Sequence, residues 1–312
     1  MPQATREIKR RIRSIKSTRQ ITKAMELVSS AKMRRAVANV LAARTYSNLG
    51  WDLLMELAAR IDTSHHPLLR RPAAIKKIGL VLISSNRGLC GGFNHQLTNR
   101  VARFIEQHKL QDAQLEADLV AVGKRGRDIM FRYGHSIVAE FIKPDLTTRI
   151  EEITPIARLL INDYLKGRYD KVVMAYTDFI SPISQKPRVK QLLPLELVDD
   201  PYLGEVRRPD LTSGRAEAGI SSGQFNYEYL FEPTASKVLD NLLPRLLEVQ
   251  IYQALLESEA SEHSARMVAM RNASDAAKDM IDSLTLAFNQ ARQASITSEL
   301  ADITGGRLAV GG

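Results

Sequence analysis

The sequence predicts α/β plus all-α: a long antiparallel coiled coil of the N- and C-terminal helices with an inserted Rossmann-like α/β domain. Three observations predict it. Between Thr5 and Ala59 there is no proline and a single glycine, Gly50. Between Thr234 and Thr304 the one breaker is Pro244, and the next glycine is Gly305. The residues between these stretches alternate short apolar runs with helical patterns. At about 1.5 Å per residue the terminal helices would measure roughly 80 and 100 Å. Helices of that length survive in water by burying their apolar stripes against each other.

The first helix carries a thin stripe at Ile8, Ile12, Ile15, Thr22, Met25, Ser29, Ala36, Val40 and Ala43. In the last helix, Ala269, Ala273, Ala276, Met280, Leu284, Ala287, Ala291 and Ala294 follow steps of three or four. They predict a buried face, with Asp275, Lys278, Asp282, Asn289 and Arg292 opposite and Ser274 pointing away. Ile251 and Leu255 extend this face upstream, and Ser258 and Glu262 dilute it. An alanine seam lets helices approach closely but buries little area per contact. A dimerising coiled coil would place Leu and Ile there. The pattern describes a slim rod suited to an enclosing partner.

In the middle, Ile78–Ser84 is a continuous apolar strand, as a buried parallel sheet requires. A helix over His95–Lys109, a strand over Asp118–Val122 and a helix over Lys124–Arg132 follow. Ser136–Phe141 reads as a further strand. Thr154-Pro155 predicts a helix start, with Thr154 as cap, closing at Gly167. Lys171–Tyr176 and Arg188–Leu197 are the last strands. Strand and helix alternation implies a parallel or mixed sheet with helices on its faces. The expected division is 1–60 together with 225–312 as the shaft, 70–200 as the α/β domain and 201–224 as a surface loop.

Of 312 residues, 44% are hydrophobic, and no run approaches the roughly 18 apolar residues of a membrane span. The N-terminal segment lacks the apolar core of a secretion signal, and its isoleucine spacing runs into the first helix, so it reads as mature protein. The single cysteine, Cys90, excludes an internal disulfide and fits a reducing compartment. The net charge of +9 is concentrated early: from Arg6 to Arg44 the bases face only Glu7 and Glu26. Such a helix is either a solvated face or a surface for acidic partners. Nucleic acid is disfavoured, because no aromatic precedes Tyr46 for base stacking.

Candidates for chemistry are few. Ser84–Asn94 lies where a phosphate loop would lie, with Gly88, Gly91 and Gly92, but it is neither GxGxxG nor a P-loop. Its glycines allow an anion site, a tight turn or a close chain approach. Cys90 with His95 lacks an orienting third group, and His65-His66 lacks a metal-ligand set. Glu151-Glu152 reads as acid favoured near a helix N-terminus.

Three segments carry a resemblance. Ile21-Thr-Lys-Ala-Met-Glu-Leu-Val28 with Ala31-Lys-Met-Arg34 looks like the N-terminal helix of the gamma subunit of F-type ATP synthases. Arg87-Gly-Leu-Cys-Gly-Gly-Phe-Asn94 resembles that family's glycine-rich segment. Ser264–Met270 and Ala291–Leu300 resemble its C-terminal helix and signature, although Gly306 is followed by Arg307 where small residues are usual. The Leu203–Gly223 loop is longer than in the shorter bacterial members and contains no cysteine for a thiol switch.

The resemblance implies a bacterial-type, non-catalytic rotor shaft of a proton- or sodium-driven synthase. It would turn inside a ring of alpha and beta subunits, beside epsilon and on the c-ring, peripheral to the cytoplasmic face of the plasma membrane. It implies no cofactor, no metal, no catalytic residue, no nucleic-acid partner and no membrane insertion. Lys23, Met25, Arg34, Arg35, Arg266, Gln293, Thr297 and Glu299 match positions that face the ring. Tyr229 and Glu232 match the c-ring and epsilon side. A nucleotide-binding enzyme using the Asn86–Asn94 loop and a basic coiled-coil nucleic-acid binder are the rival readings. Nucleotide titration and salt-dependent binding separate them from the shaft.

Overall fold

A computed structural model describes residues 3–58, 66–70, 72, 74–111, 114–146, 149–195, 232 and 234–310. The predicted Pro201–Phe225 loop lies outside them. The elements are α1 (Gln3–Ala58), β1 (Lys77–Ile83), α2 (Phe93–Gln111), β2 (Glu116–Val122), α3 (Lys124–Arg132), β3 (Ser136–Phe141), a 3-10 turn (Ile150–Glu152), α4 (Thr154–Leu165), β4 (Lys171–Phe179), β5 (Gln185–Leu193) and α5 (Ala235–Val310). By contact, the chain forms two compact units. One comprises residues 1–31 and 266–312, and the other comprises 32–265.

The larger unit holds a five-stranded sheet of order β3-β2-β1-β4-β5. The first four strands are parallel and β5 is antiparallel to β4. After its first residue β1 is buried throughout, which is why it reads as an unbroken apolar run. Its residues alternate between two cores. Ile78, Leu80 and Leu82 pack with Leu97, Val101 and Ile105 of α2 and Met130 of α3. Val81 and Ile83 pack with Ile156, Ala157 and Leu160 of α4, Leu54 of α1 and Leu243–Leu255 of α5. Full burial of one such Leu or Ile contributes about 1.5–3 kcal/mol. Within this unit α1 and α5 run antiparallel. Ala36 and Val40 cluster with Leu256 and Ala260, and Leu54 clusters with Leu243, Leu246 and Leu247. At Gly50 a Cβ would come within 2.7 Å of the Leu246 side chain, so the one glycine of α1 marks a close helix contact.

The smaller unit pairs the beginning of α1 with the end of α5. On α1 the buried or half-buried residues include Thr5, Ile8, Ile12, Ile15, Thr22, Met25, Glu26 and Ser29, close to the predicted stripe. On α5 they include Met270, Ser274, Ala277, Ile281, Leu284, Phe288, Ala291 and Ser295, which alternate steps of four and three. This is a seven-residue repeat, the spacing that keeps a seam facing its partner. The predicted alanine face is therefore partly out of phase. Ala276, Met280 and Ala294 are exposed, and Ser274 is buried at 5% exposure. The reason is that 276, 280 and 284 take two consecutive steps of four, which drift off a heptad seam.

Two smaller expectations are also corrected. Thr154 is the first residue of α4 rather than its cap, and no side chain caps this helix. The 3-10 turn runs straight into α4, so the Ile153 carbonyl accepts from the amides of Ile156 and Ala157. Glycine does not stop α5 at 305, because the helix continues to Val310.

The seam phase yields a matched test. Ala277 is 7% exposed, and its neighbour Ala276 is exposed. Leucine at Ala277 should overpack the seam and lower stability by about 1–3 kcal/mol, whereas Ala276→Leu should have little effect. Thermal melting of the two full-length variants checks this, and equal losses would refute the phase.

Candidate functional surface

Strand order reverses around β1, and the crevice at the carboxyl ends of its neighbours is where open α/β sheets take ligands. Here that edge is occupied by the protein's own α5. Ser258 Oγ donates to the Ile83 carbonyl at the end of β1 (3.4 Å). Ser261 Oγ donates to the Thr177 carbonyl near the end of β4 (3.1 Å). Ser264 Oγ donates to the Pro182 carbonyl (2.5 Å), and Gln185 Nε2 donates back to Ser264 Oγ. Lys143, following β3, forms a buried ion pair with Glu262. Three serines at spacing three lie on one side of a helix, and their small side chains let it approach the strand ends. Their hydroxyls donate to backbone carbonyls at this edge, and the Pro182 carbonyl accepts from Gln185 Nε2 as well (3.0 Å). Thus Ser258 and Glu262, which dilute the apolar face in sequence, are the groups that dock it.

In the glycine-rich segment beside this edge, Ser85, Cys90 and Asn94 are directed inward, while Arg87, Leu89, Gly91 and Gly92 are exposed. The Ser85 amide donates to Asn94 Oδ1 (3.1 Å), and Asn94 Nδ2 donates to Ser85 Oγ (2.7 Å) and approaches Cys90 Sγ (3.3 Å). Ser85 Oγ also reaches the Arg87 carbonyl (2.7 Å), and Asn86 Nδ2 donates to the Lys143 carbonyl. Cys90 is 2% exposed, while His95 is exposed and turned to Asn99, so the two do not form a nucleophile pair. Two further glycines explain the tight packing. A Cβ at Gly126 would lie 2.6 Å from Ser84 Oγ, the atom that accepts the Gly126 amide. At Gly123, φ is +99° and a Cβ would meet the Ser84 carbonyl oxygen at 2.4 Å. Other candidates have local roles: His66 pairs with Asp240 (3.2 Å), and Glu151 and Glu152 form the 3-10 turn before α4. His65 lies outside the described residues, among which no His, Cys, Asp and Glu cluster could hold a metal.

The remaining candidate residues are mostly helical. Lys23, Gln293, Thr297 and Glu299 are exposed in the smaller unit, with Met25 half-buried and Arg266 buried. Thr297 Oγ1 donates to the Gln293 carbonyl, and Ser295 Oγ donates to Glu299. Arg34 and Arg35 are exposed on α1 in the larger unit, and Glu232 is exposed. Tyr229 lies outside the described residues. At the centre of the smaller unit is Glu26, 5% exposed at a seam position. It accepts from Lys23 Nζ (2.9 Å) on its own helix and from Arg271 Nε (3.2 Å) on the other. The Lys23 hydrogen bond is the largest influence on the Glu26 carboxyl and lowers its pKa; burial opposes it, and Arg271 lowers it further. The sequence shows Glu26 as one of two acids in the basic stretch from Arg6 to Arg44, but not that it enters the seam.

Two tests follow from this geometry. Gly123→Ala should cost more stability than Gly134→Ala. Both positions have positive φ, a strain of about 1–3 kcal/mol, but a Cβ at Gly134 meets nothing within 4 Å. Similar melting shifts for the two would refute the close approach at Ser84. For Glu26, a depressed folded pKa means stability that is present above the unfolded value and lost as pH falls through the folded one. Glu26→Gln should therefore flatten the acid limb of the melting profile on the acid side of the ordinary glutamate range, and less so in high salt because both cations are largely exposed. An unchanged acid limb would exclude this role.

Comparison with known proteins agrees with this architecture. The family described as ATP synthase matches residues 4–310. The ATP synthase gamma chain of Herpetosiphon aurantiacus is 41% identical, over 98% of this chain and 99% of its own. That of Pelotomaculum thermopropionicum is 43% identical, over 98% of both chains. In fold, the chain is similar to one in the cryo-EM structure of the Euglena gracilis mitochondrial ATP synthase, OSCP/F1/c-ring, with TM-score 0.64 at 19% identity, covering 98% of this chain and 94% of that one. The chain therefore belongs to the ATP synthase gamma chain family, whose members are non-catalytic subunits of that complex.

Proposed function

We propose that this gamma-family chain is the turning shaft by which ion flow through a c-ring is coupled to ATP synthesis or hydrolysis on beta subunits. In this reading the chain is the rotor of the central stalk, as are the rotor and central-stalk chains of similar fold. Its partners in this reading are the alpha and beta subunits around it and the epsilon subunit and c-ring at its lower end. No helix among the described residues is long and apolar enough to cross a membrane. The chain would accordingly be peripheral, attached to the cytoplasmic face of a bacterial plasma membrane through the assembly.

The observation that carries this reading is the bonding of α5 to the sheet. The edge where an α/β enzyme would bind a ligand is filled by a helix that belongs also to the two-helix unit. Torque applied to the α/β body would reach α5 through the Ser258, Ser261 and Ser264 hydrogen bonds and the Lys143–Glu262 pair. The smaller unit would offer the ring Lys23, Met25, Gln293, Thr297 and Glu299, with Arg34 and Arg35 adding charge from α1. Arg266, 8% exposed, would support that surface from beneath. Glu232 and Tyr229 would lie toward the c-ring and epsilon.

The test is assembly. A tagged full-length chain expressed in its own host should recover alpha, beta and epsilon subunits in fixed proportion, and recovery of the chain alone would sink the reading. Charge supplies a second measurement. Arg10, Lys16 and Arg34 are exposed bases. Single reversals should change little, about 0–1 kcal/mol each. Reversing all three to Glu should weaken assembly or uncouple hydrolysis from pumping, most visibly at low salt. Normal assembly and coupling of the triple variant at low and moderate salt would show that these bases do not face acidic partners.

A further inference from the structure

The sheet grips α5 from both of its edges. β3 is one edge strand and β5 is the other. Just past β3, the Lys143 ammonium pairs with Glu262, and both side chains are buried. The Lys143 carbonyl in turn accepts from Asn86 Nδ2. Two residues further on, the Asp145 carbonyl lies 3.4 Å from His263 Nε2, and the Asp145 carboxylate pairs with Lys32 of α1 (3.4 Å). At the other edge, the β4–β5 turn holds Ser264 through the Pro182 carbonyl and Gln185 Nε2. That turn is itself fixed. Ser181 and Ser184 exchange amide-to-carbonyl bonds, and Gln185 Nε2 donates to the Ser181 carbonyl (3.2 Å). Residues two apart on a helix lie about 200° apart around its axis. Glu262 and Ser264 are therefore on nearly opposite sides of α5, with Ser258 and Ser261 between them on the strand ends.

A helix held in this way answers twist differently in each sense. Turning α5 about its axis one way draws Glu262 from Lys143 and presses Ser264 toward the turn. The opposite sense does the reverse. In the shaft reading, on which this inference rests, α5 and the α/β body are always driven against each other. Hydrolysis in the ring turns α5 one way, and ion flow through the c-ring turns the body the other way. Whichever drive wins, the twist between them keeps one sign. One edge of the joint is then stretched in both modes of work, and the other is slack.

We propose that the stretched edge is the β3 edge, and that Lys143 and Glu262 are the positioning residues that carry the twist between the sheet and α5. Three observations assign it. Lys143–Glu262 is the one ion pair among the Ser258, Ser261, Glu262 and Ser264 contacts, and a charge-assisted hydrogen bond is about twice as strong as a neutral one. A buried ion pair adds little stability over an apolar pair of similar volume, so what it supplies here is fixed direction and distance. The β3 edge also ties α1, through Asp145 and Lys32.

The test uses the assembled complex in phospholipid vesicles, read in two modes: ions pumped per ATP hydrolysed, and ATP made under an imposed ion gradient. Lys143→Met combined with Glu262→Leu replaces the pair by apolar side chains and keeps the Lys143 carbonyl. It should assemble and lower both readings about tenfold. Ser264→Ala removes one hydroxyl, and Gln185 Nε2 still reaches the Pro182 carbonyl (3.0 Å). It should lower both readings by no more than about twofold. Thermal melting of the full-length chains checks that neither change acts by unfolding. If the double variant does not fold, Glu262→Gln, which removes the charge and keeps an acceptor for Lys143, supplies the comparison. Equal losses at the two edges, a larger loss for Ser264→Ala, or a loss confined to one mode would overturn the assignment while leaving the shaft reading intact. A wild-type chain that does not enter the complex would sink the shaft reading and this assignment with it.

Discussion

The attachment of α5 to the carboxyl edge of the sheet is the constraint on which the larger unit depends. A parallel sheet leaves carbonyl groups at its strand ends, and burying them without partners is costly. Ser258 and Ser261 supply those partners from a helix with no bulky residue at either position. A leucine at these sites would contribute more apolar area, but it would hold the helix away and leave the carbonyls unpaired. The same edge is where doubly wound sheets bind ligands. Filling it with a serine-studded helix trades a binding crevice for a fixed mechanical joint.

The smaller unit follows a different rule. Its α5 seam positions include Ser274, Ala277, Ala291 and Ser295. Small residues let helices come close, yet each contact removes little apolar area from water. Apolar burial within the pair is correspondingly small. Exposed Ile21, Leu27, Val28, Leu286, Ile296 and Leu300 are consistent with a surface that functions while covered.

The sheet was legible in the sequence because buried strands leave a coarse signature. Apolar runs such as Ile78–Ile83, bounded by polar turns, gave each strand to within a few residues. The seam phase was not, because alanine is common on both sides of α5 and marks neither face. Choosing Ala276 over Ala277 depends on following a seven-residue repeat through weak signals, and Ile281 and Phe288 carry most of it. Reading Ser258 and Glu262 as interruptions failed for another reason. A helix docked on carbonyls needs polar residues on its buried side, and hydrophobic periodicity scores those as exposed. The motif residues 21–34, 264–270 and 291–300 suggested a surface by resemblance, but their spacing gives no hint that Arg266 is covered within the chain.

Glu26 and Glu257 show how one residue type is set to opposite purposes by its surroundings. Both are buried glutamates on long helices, and both contact an arginine from the other long helix. Glu26 has two cationic partners, and the hydrogen bond from Lys23 outweighs its burial, so its pKa lies below the ordinary glutamate value. Glu257 has one cationic partner, and burial outweighs the arginine, so its pKa is pushed up to about 7. The difference is set by which influence is largest: for Glu26 it is the hydrogen bond from a lysine one helical turn back, and for Glu257 it is burial. Glu26 thereby ties the two helices by charge across their seam.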